Sequence, residues 1–147
     1  MTWLFILIAI IAGAFNPAQS GANAELNKQF GHTLPATIMV YGSALVSLLL
    51  LQLIFRQSLP AHGRLVDIPW WAWLGGFISL APTIAGLTLA QKMGSGVFTG
   101  LTVTTGVVIS ILFDHFALMG FKHRPASLPR IVGAALMIGG LWLVAKF

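Results

Sequence analysis

The stretch "WLFILIAIIAGAFNPAQSGANAELNK", residues 3–28, decides what kind of chain this is. It opens on a continuous apolar run and closes on a crowd of amides, Asn16, Gln19, Asn23 and Asn27, with Pro17, Ser20 and Glu25 among them. Such a segment reads differently in water and in lipid, and composition chooses between the two. Of 147 residues, 57% are hydrophobic and 7% charged, with a mean hydropathy of +0.90. A soluble domain carries about a quarter charged residues, so this chain has too few to cover a water-facing surface. It is a membrane protein. Eight Lys and Arg against three acids give a net charge of +5. They fall singly or in small groups between apolar runs, which fits anchoring at lipid headgroups and not a nucleic-acid footprint. Without cysteine, disulfides, thiolate nucleophiles and Cys-based metal sites are excluded.

Outward from the first run, the same test repeats along the chain. A helix needs roughly 20 mostly apolar residues to cross the hydrocarbon core. Five runs qualify, over about 2–25, 34–55, 70–91, 97–121 and 130–146, which predicts an all-α integral membrane fold in a single transmembrane domain, residues 1–147. The breaks carry turn and charge signals: "KQFGH", "RQSLPAHGRLVDIP", "KMGSG" and "KHRPASLPR". Trp70, Trp71 and Trp73 cluster where the third run begins and read as an interfacial belt. The "ANA" at residues 22–24 looks like a signal-peptidase site, but the opening "MTWLF" lacks a basic residue, so the first run is read as a span.

An odd number of spans places the termini on opposite sides. Arg56, Arg64, Lys122, Arg124 and Arg130 then share the N-terminal side, against Lys28, Lys92 and Lys146 on the other. Positive-inside counting puts the N-terminus in the cytoplasm of a plasma (inner) membrane protein, with a margin small enough to leave insertion in both orientations open.

Helical periodicity assigns the polar residues to faces. With Asn16 at zero and about 100° per residue, Ser20, Asn23, Gln19 and Asn27 fall within a stripe about 100° wide. An amide facing hydrocarbon leaves its donors and acceptors unpaired at a cost of several kcal/mol each, so the stripe is expected to face other helices or a water-filled cavity. Pro17 frees a backbone carbonyl one turn earlier. Glu25 lies on the opposite side near the helix end and reads as an interfacial residue.

In the fourth run Gly96, Thr99, Thr102, Gly106, Ser110 and Asp114 share a face. A span centred near Ile109 would set Asp114 only about 7 to 8 Å from the midplane at 1.5 Å per residue. At that depth a carboxyl must be protonated, paired or hydrated. Two readings stay open: a structural pair with Arg130 or His115, or a carboxyl that exchanges a proton as substrate arrives. In the third run Gly75, Ser79, Thr83, Gly86 and Ala90 share a face beside Pro82, as expected of dense helix packing. Tyr41, the only tyrosine, shares a face with Thr37 and Ala44 and suits either stacking on a substrate or a bond to a neighbouring helix. Gly133 with Gly140, and Ala135 with Gly139, mark the fifth run as a helix-contact segment. No phosphate loop, zinc-type His and Glu spacing or nucleophile elbow is present, so neither a cofactor nor a metal is expected, and the chain is not read as an enzyme.

"PAQSGANAEL" in the first run, "DHFALMGF" at the end of the fourth and the closing "RIVGAALMIGGLWLV" resemble the half-size, five-helix, EamA-like branch of the drug/metabolite transporter superfamily. The matching positions are Gln19, Asn23, Asp114, Arg130, Gly133 and Gly139. The sequence differs from the small multidrug resistance relatives, which have four helices and a mid-membrane Glu in the first, where this chain offers Asn16 and Gln19. The resemblance implies ten helices in two inverted halves, of which this chain is one. Two five-helix units joined in series must lie in opposite orientations, and inverted repeats place a site near the midplane. The expected partners are therefore the lipid bilayer, a small-molecule substrate, and a second copy or an oppositely oriented homologous subunit, with no nucleic acid. The expected function is a secondary transporter subunit for a small polar metabolite or drug-like molecule. Asn16, Gln19, Ser20 and Asn23 would line the cavity, and Tyr41, Thr99, Thr102 and Ser110 would contribute. A non-transporting accessory subunit and a lipid-handling flippase are the alternatives.

Overall fold

Five apolar helices carry the chain through residues 2–58 and 68–147, the part that the computed structural model describes. They are α1 (Thr2–Phe30), α2 (Thr33–Phe55), α3 (Leu74–Met93), α4 (Ser95–Phe116) and α5 (Leu128–Lys146). No strand occurs among the described residues, and each helix is long and apolar enough to span a bilayer. His62 and Arg64, counted above in the second break, lie outside the described residues.

The connections follow from local chemistry. Gly31, at φ 69°, lets the chain turn from α1 into α2 with only His32 beside it, and its N–H closes on the Asn27 carbonyl at 3.0 Å. Gly94, at φ 86°, does the same between α3 and α4. Both need the left-handed region that glycine enters without strain. A single 3-10 turn, Trp70–Trp73, precedes α3, so the third span starts with its indoles splayed, Trp70 and Trp73 both exposed. Pro17 and Pro82 sit inside α1 and α3, where each removes one ladder donor without ending the helix.

α4 stops at Phe116, not Phe121. Ala117 takes a left-handed conformation (φ 50°), a short 3-10 turn covers Leu118–Gly120, and Met119 is left-handed again (φ 53°). The chain breaks there because its next donors and acceptors go elsewhere: the Arg124 N–H bonds the Asp114 carbonyl at 2.8 Å, satisfying one of the C-terminal carbonyls a helix end leaves open.

The chain divides into two compact units, Ala18–Gln91, and Met1–Pro17 with Lys92–Phe147. Burial in the first is carried by small groups, Ala24, Ala36, Thr37, Gly86 and Ala90, with Leu87. In the second, α4 packs on α5, and at Gly100 an added Cβ would lie 2.6 Å from Leu141 Cδ1. The packing glycines expected from sequence behave differently. Gly86 is buried, whereas at Gly75, Gly106, Gly133, Gly139 and Gly140 an added Cβ would meet nothing. The physical reason is helix phase: α4 turns Val97, Gly100, Thr104, Val107, Ile111 and His115 inward, a stripe about 100° away from Gly106 on the helical wheel.

Candidate functional site

The α1 stripe changes character along its length. Asn16 lies at the middle of the helix and is exposed, as is Gln19, while Ser20 and Asn23 are half-buried. None of these four side chains hydrogen-bonds another described residue, whereas Asn27, on the same stripe, donates from Nδ2 to the Leu87 carbonyl of α3 at 3.0 Å. Its Oδ1 is buried without a partner. The stripe is thus anchored at one end and carries open amides at mid-span. The anchoring role of Asn27 was missed in the sequence, although its wheel position put it in register; a polar residue one turn from a helix end gives no sign of which carbonyl it will reach.

Glu25 stays exposed on the other side, bonded by Gln29 Nε2 at 2.7 Å and 4.0 Å from Lys28 Nζ. These are exposed contacts at a helix end and contribute little.

Tyr41 bridges α2 and α3. Its hydroxyl lies 2.8 Å from Ser79 Oγ and 3.0 Å from Thr83 Oγ1. Ser79 Oγ also donates to the Gly76 carbonyl (2.6 Å) and Thr83 Oγ1 to the Ser79 carbonyl (2.9 Å). With one proton on each hydroxyl, the chain runs either from Thr83 through Tyr41 and Ser79 to the Gly76 carbonyl or from Ser79 through Tyr41 and Thr83 to the Ser79 carbonyl. The three hydroxyls therefore satisfy one another. The ring flanks an open groove of about 490 Å³ with an apolar lining that includes Leu34, Ile38, Leu45, Leu80 and Ile84. Ser79 and Thr83, read from sequence as packing positions, are in this way polar partners of the one tyrosine.

On α4 the small hydroxyls face away from α5. Thr99 is half-buried, and Thr102 and Ser110 are exposed. Thr102 Oγ1 donates back to the Phe98 carbonyl at 3.1 Å and the Thr99 carbonyl at 3.0 Å. Thr104, not singled out from sequence, is the buried threonine of this helix. The polar wheel face and the packed face are distinct sides of α4, and Asp114 lies between them.

Asp114 Oδ2 accepts from Arg130 Nη2 at 2.5 Å, and Arg130 Nη1 also reaches the Arg124 carbonyl at 3.3 Å. Because α4 ends at Phe116, its middle falls near residue 105 or 106, and Asp114 lies about 13 Å from it at 1.5 Å per residue. The deeper placement expected from a helix running to Phe121 is corrected accordingly: the pair sits near one end of the spans. Asp114 occupies the last turn of α4 and Arg130 the first turn of α5, so each charge stands at the unfavourable pole of its own helix dipole. Each neutralises what the other helix end would disfavour.

Five helices long and apolar enough to cross a bilayer, an amide stripe and a closing charge pair fit a multi-pass membrane protein. Residues 4–143 match the family described as "Putative inner membrane exporter, YdcZ", and the chain belongs to that family, within the drug/metabolite transporter superfamily. Family membership supports a transporter role in the inner membrane. The chain is similar to the inner membrane protein YdcZ of Escherichia coli (strain K12), with 28% identity over 93 residues. That alignment covers 63% of this chain and 62% of the relative, so it spans somewhat less than two thirds of the curated protein's length. No solved structure matches the chain.

Proposed function

We propose that the chain is one half of an inner-membrane exporter that moves a small polar metabolite or drug-like molecule by alternating access between two oppositely oriented five-helix units. The second unit is another copy inserted the other way or a separate homologous subunit. The observation that carries this reading is the row of amides that begins at mid-span on α1 and runs toward its C-terminal end, Asn16, Gln19 and Asn23, whose side chains have no hydrogen-bond partner among the described residues. In a bilayer such groups require water, substrate or a second protein surface. Inverted halves supply all three at the midplane. The N-terminus is cytoplasmic in at least one of the two orientations. Thr99, Thr102 and Ser110 on α4 offer a further polar face to the substrate, and the small faces at Gly106, Gly133, Gly139 and Gly140 are open to the partner.

Reconstitution tests the proposal. Liposomes carrying the protein and loaded with a panel of small polar solutes should show protein-dependent efflux of at least one, and Gln19→Leu and Asn23→Leu should each lower that flux at least tenfold with the assembled species still present. Flux unaffected by both substitutions would contradict it, as would an assembly that moves no solute, the outcome a purely accessory subunit gives. The apolar groove beside Tyr41 supports a second reading, lipid handling, because it offers hydrocarbon a seat on α2 and α3. Translocation of a labelled phospholipid in the same liposomes separates the two.

A further inference from the structure

The connection from α4 to α5, residues 117–127, carries more bonds than a linker needs. Arg124 is held by its main chain at both ends, its N–H on the Asp114 carbonyl and its carbonyl receiving Arg130 Nη1. The Ala126 N–H donates to His115 Nδ1 at 3.2 Å, the Phe121 N–H to the Leu118 carbonyl at 3.1 Å, and the Phe121 ring lies 6.4 Å from that of Phe113. Left-handed Ala117 and Met119 are fixed within this frame. The result is a built hook with two kinds of surface. Phe116, Leu118 and Met119 are exposed apolar groups at its start, and Lys122, His123 and Arg124 follow as an exposed basic triplet.

Asp114, the acid beside the hook, is taken by Arg130, and among the described residues Lys122 and Arg124 make no ion pair. The frame uses the Arg124 backbone and leaves its guanidinium unused. The hook sits at the end of two helices long enough to span a bilayer, the level at which phosphate headgroups meet the hydrocarbon.

We propose that this hook is a binding site for an anionic phospholipid headgroup, in which Lys122 and Arg124 contact the phosphate while Phe116, Leu118 and Met119 seat in the adjoining hydrocarbon. Charge complementarity selects the ligand: a neutral zwitterionic lipid offers the same hydrocarbon but no net charge to two unpaired cations. Each basic side chain at an anionic surface contributes a factor of about five. The site is independent of the transport reading and stands or falls separately from it.

The test is native mass spectrometry of the full chain in neutral detergent with short-chain phosphatidylglycerol or phosphatidylcholine. Phosphatidylglycerol should be retained at least about fivefold over phosphatidylcholine. Arg124→Gln, which keeps both main-chain bonds, should lower that ratio several-fold, and K122Q/R124Q should bring it to about one. Lys146→Gln, at the far end of α5, should leave it unchanged. Equimolar inorganic phosphate should not displace the lipid. A ratio that survives K122Q/R124Q overturns the proposal, and so does full displacement by phosphate, which would make the site one for the free anion. The charge-keeping K122R/R124K must retain the preference; its loss there would show that the loop's fold, not its charge, was being read.

Discussion

At the scale of single residues, the bilayer changes what a polar side chain signifies. Tyr41 illustrates it: with Ser79 and Thr83 it forms a closed hydroxyl chain, and both smaller hydroxyls keep backbone acceptors of their own. Tyr41→Phe should therefore destabilise the α2–α3 contact by only about 1 kcal/mol, read from unfolding in detergent, because no hydroxyl is left stranded. Gly100 is the opposite case, a residue without polarity that the fold depends on. Gly100→Ala places a methyl against the tip of Leu141 and should lower stability by about 0.5–1.5 kcal/mol as that flexible side chain gives way. Gly100→Leu should disrupt the α4–α5 pair, whereas Gly133→Ala should leave the isolated chain's stability unchanged, a contrast that thermal unfolding of the three variants checks. Sequence pointed to Gly133, Gly139 and Gly140 and missed Gly100. In water the polar face of a helix reveals its buried face; in lipid both faces are apolar, and the seam between helices leaves little trace in hydropathy.

At the scale of elements, the spans were legible because lipid imposes one length and one composition on every helix, and those two quantities can be counted. What escaped the sequence was the end of α4. "FALMGF" is apolar enough to continue a span, and its interruption is set by bonds that cross the connection, from Arg124 N–H to the Asp114 carbonyl, from Ala126 N–H to His115 Nδ1 and from Arg130 to the Arg124 carbonyl, contacts that local propensity does not encode. The Asp114–Arg130 pair locks this hairpin against both helix dipoles. Asp114→Asn or Arg130→Gln alone should cost about 1–3 kcal/mol, since the surviving charge faces an unfavourable pole. The exchange Asp114→Arg with Arg130→Asp puts each charge at its favourable pole and should recover most of that loss. A double variant no better than the singles would show that the pair acts through geometry that charge alone does not restore. If Asp114 also exchanges a proton, Asp114→Asn should flatten the pH dependence of flux in addition; an unchanged profile would leave it a structural acid.

At the scale of the molecule, the first helix carries open amides from its centre outward, and in a bilayer such groups call for water, solute or another protein surface. The chain's family is one of inner-membrane exporters, and its topology, odd in number of spans, gives a partner of opposite orientation a physical reason. A tag on the C-terminus, in cells expressing this chain alone, should be accessible from both sides if the partner is a second copy, and from one side if it is a separate subunit. The stripe itself was readable from Asn16, Gln19 and Asn23 because their spacing matches a helix. Its occupant was not, because amides bond many solutes and their spacing favours none of them. The most direct test of the whole account uses the absence of cysteine. Single cysteines at Gln19 and Asn23, with the exposed Met39 as a control at similar depth in α2, can be labelled in intact membranes with a water-soluble thiol reagent. Gln19→Cys and Asn23→Cys should react and Met39→Cys should not; unreactive cysteines at both stripe positions, matching the control, would contradict a wetted path through the protein.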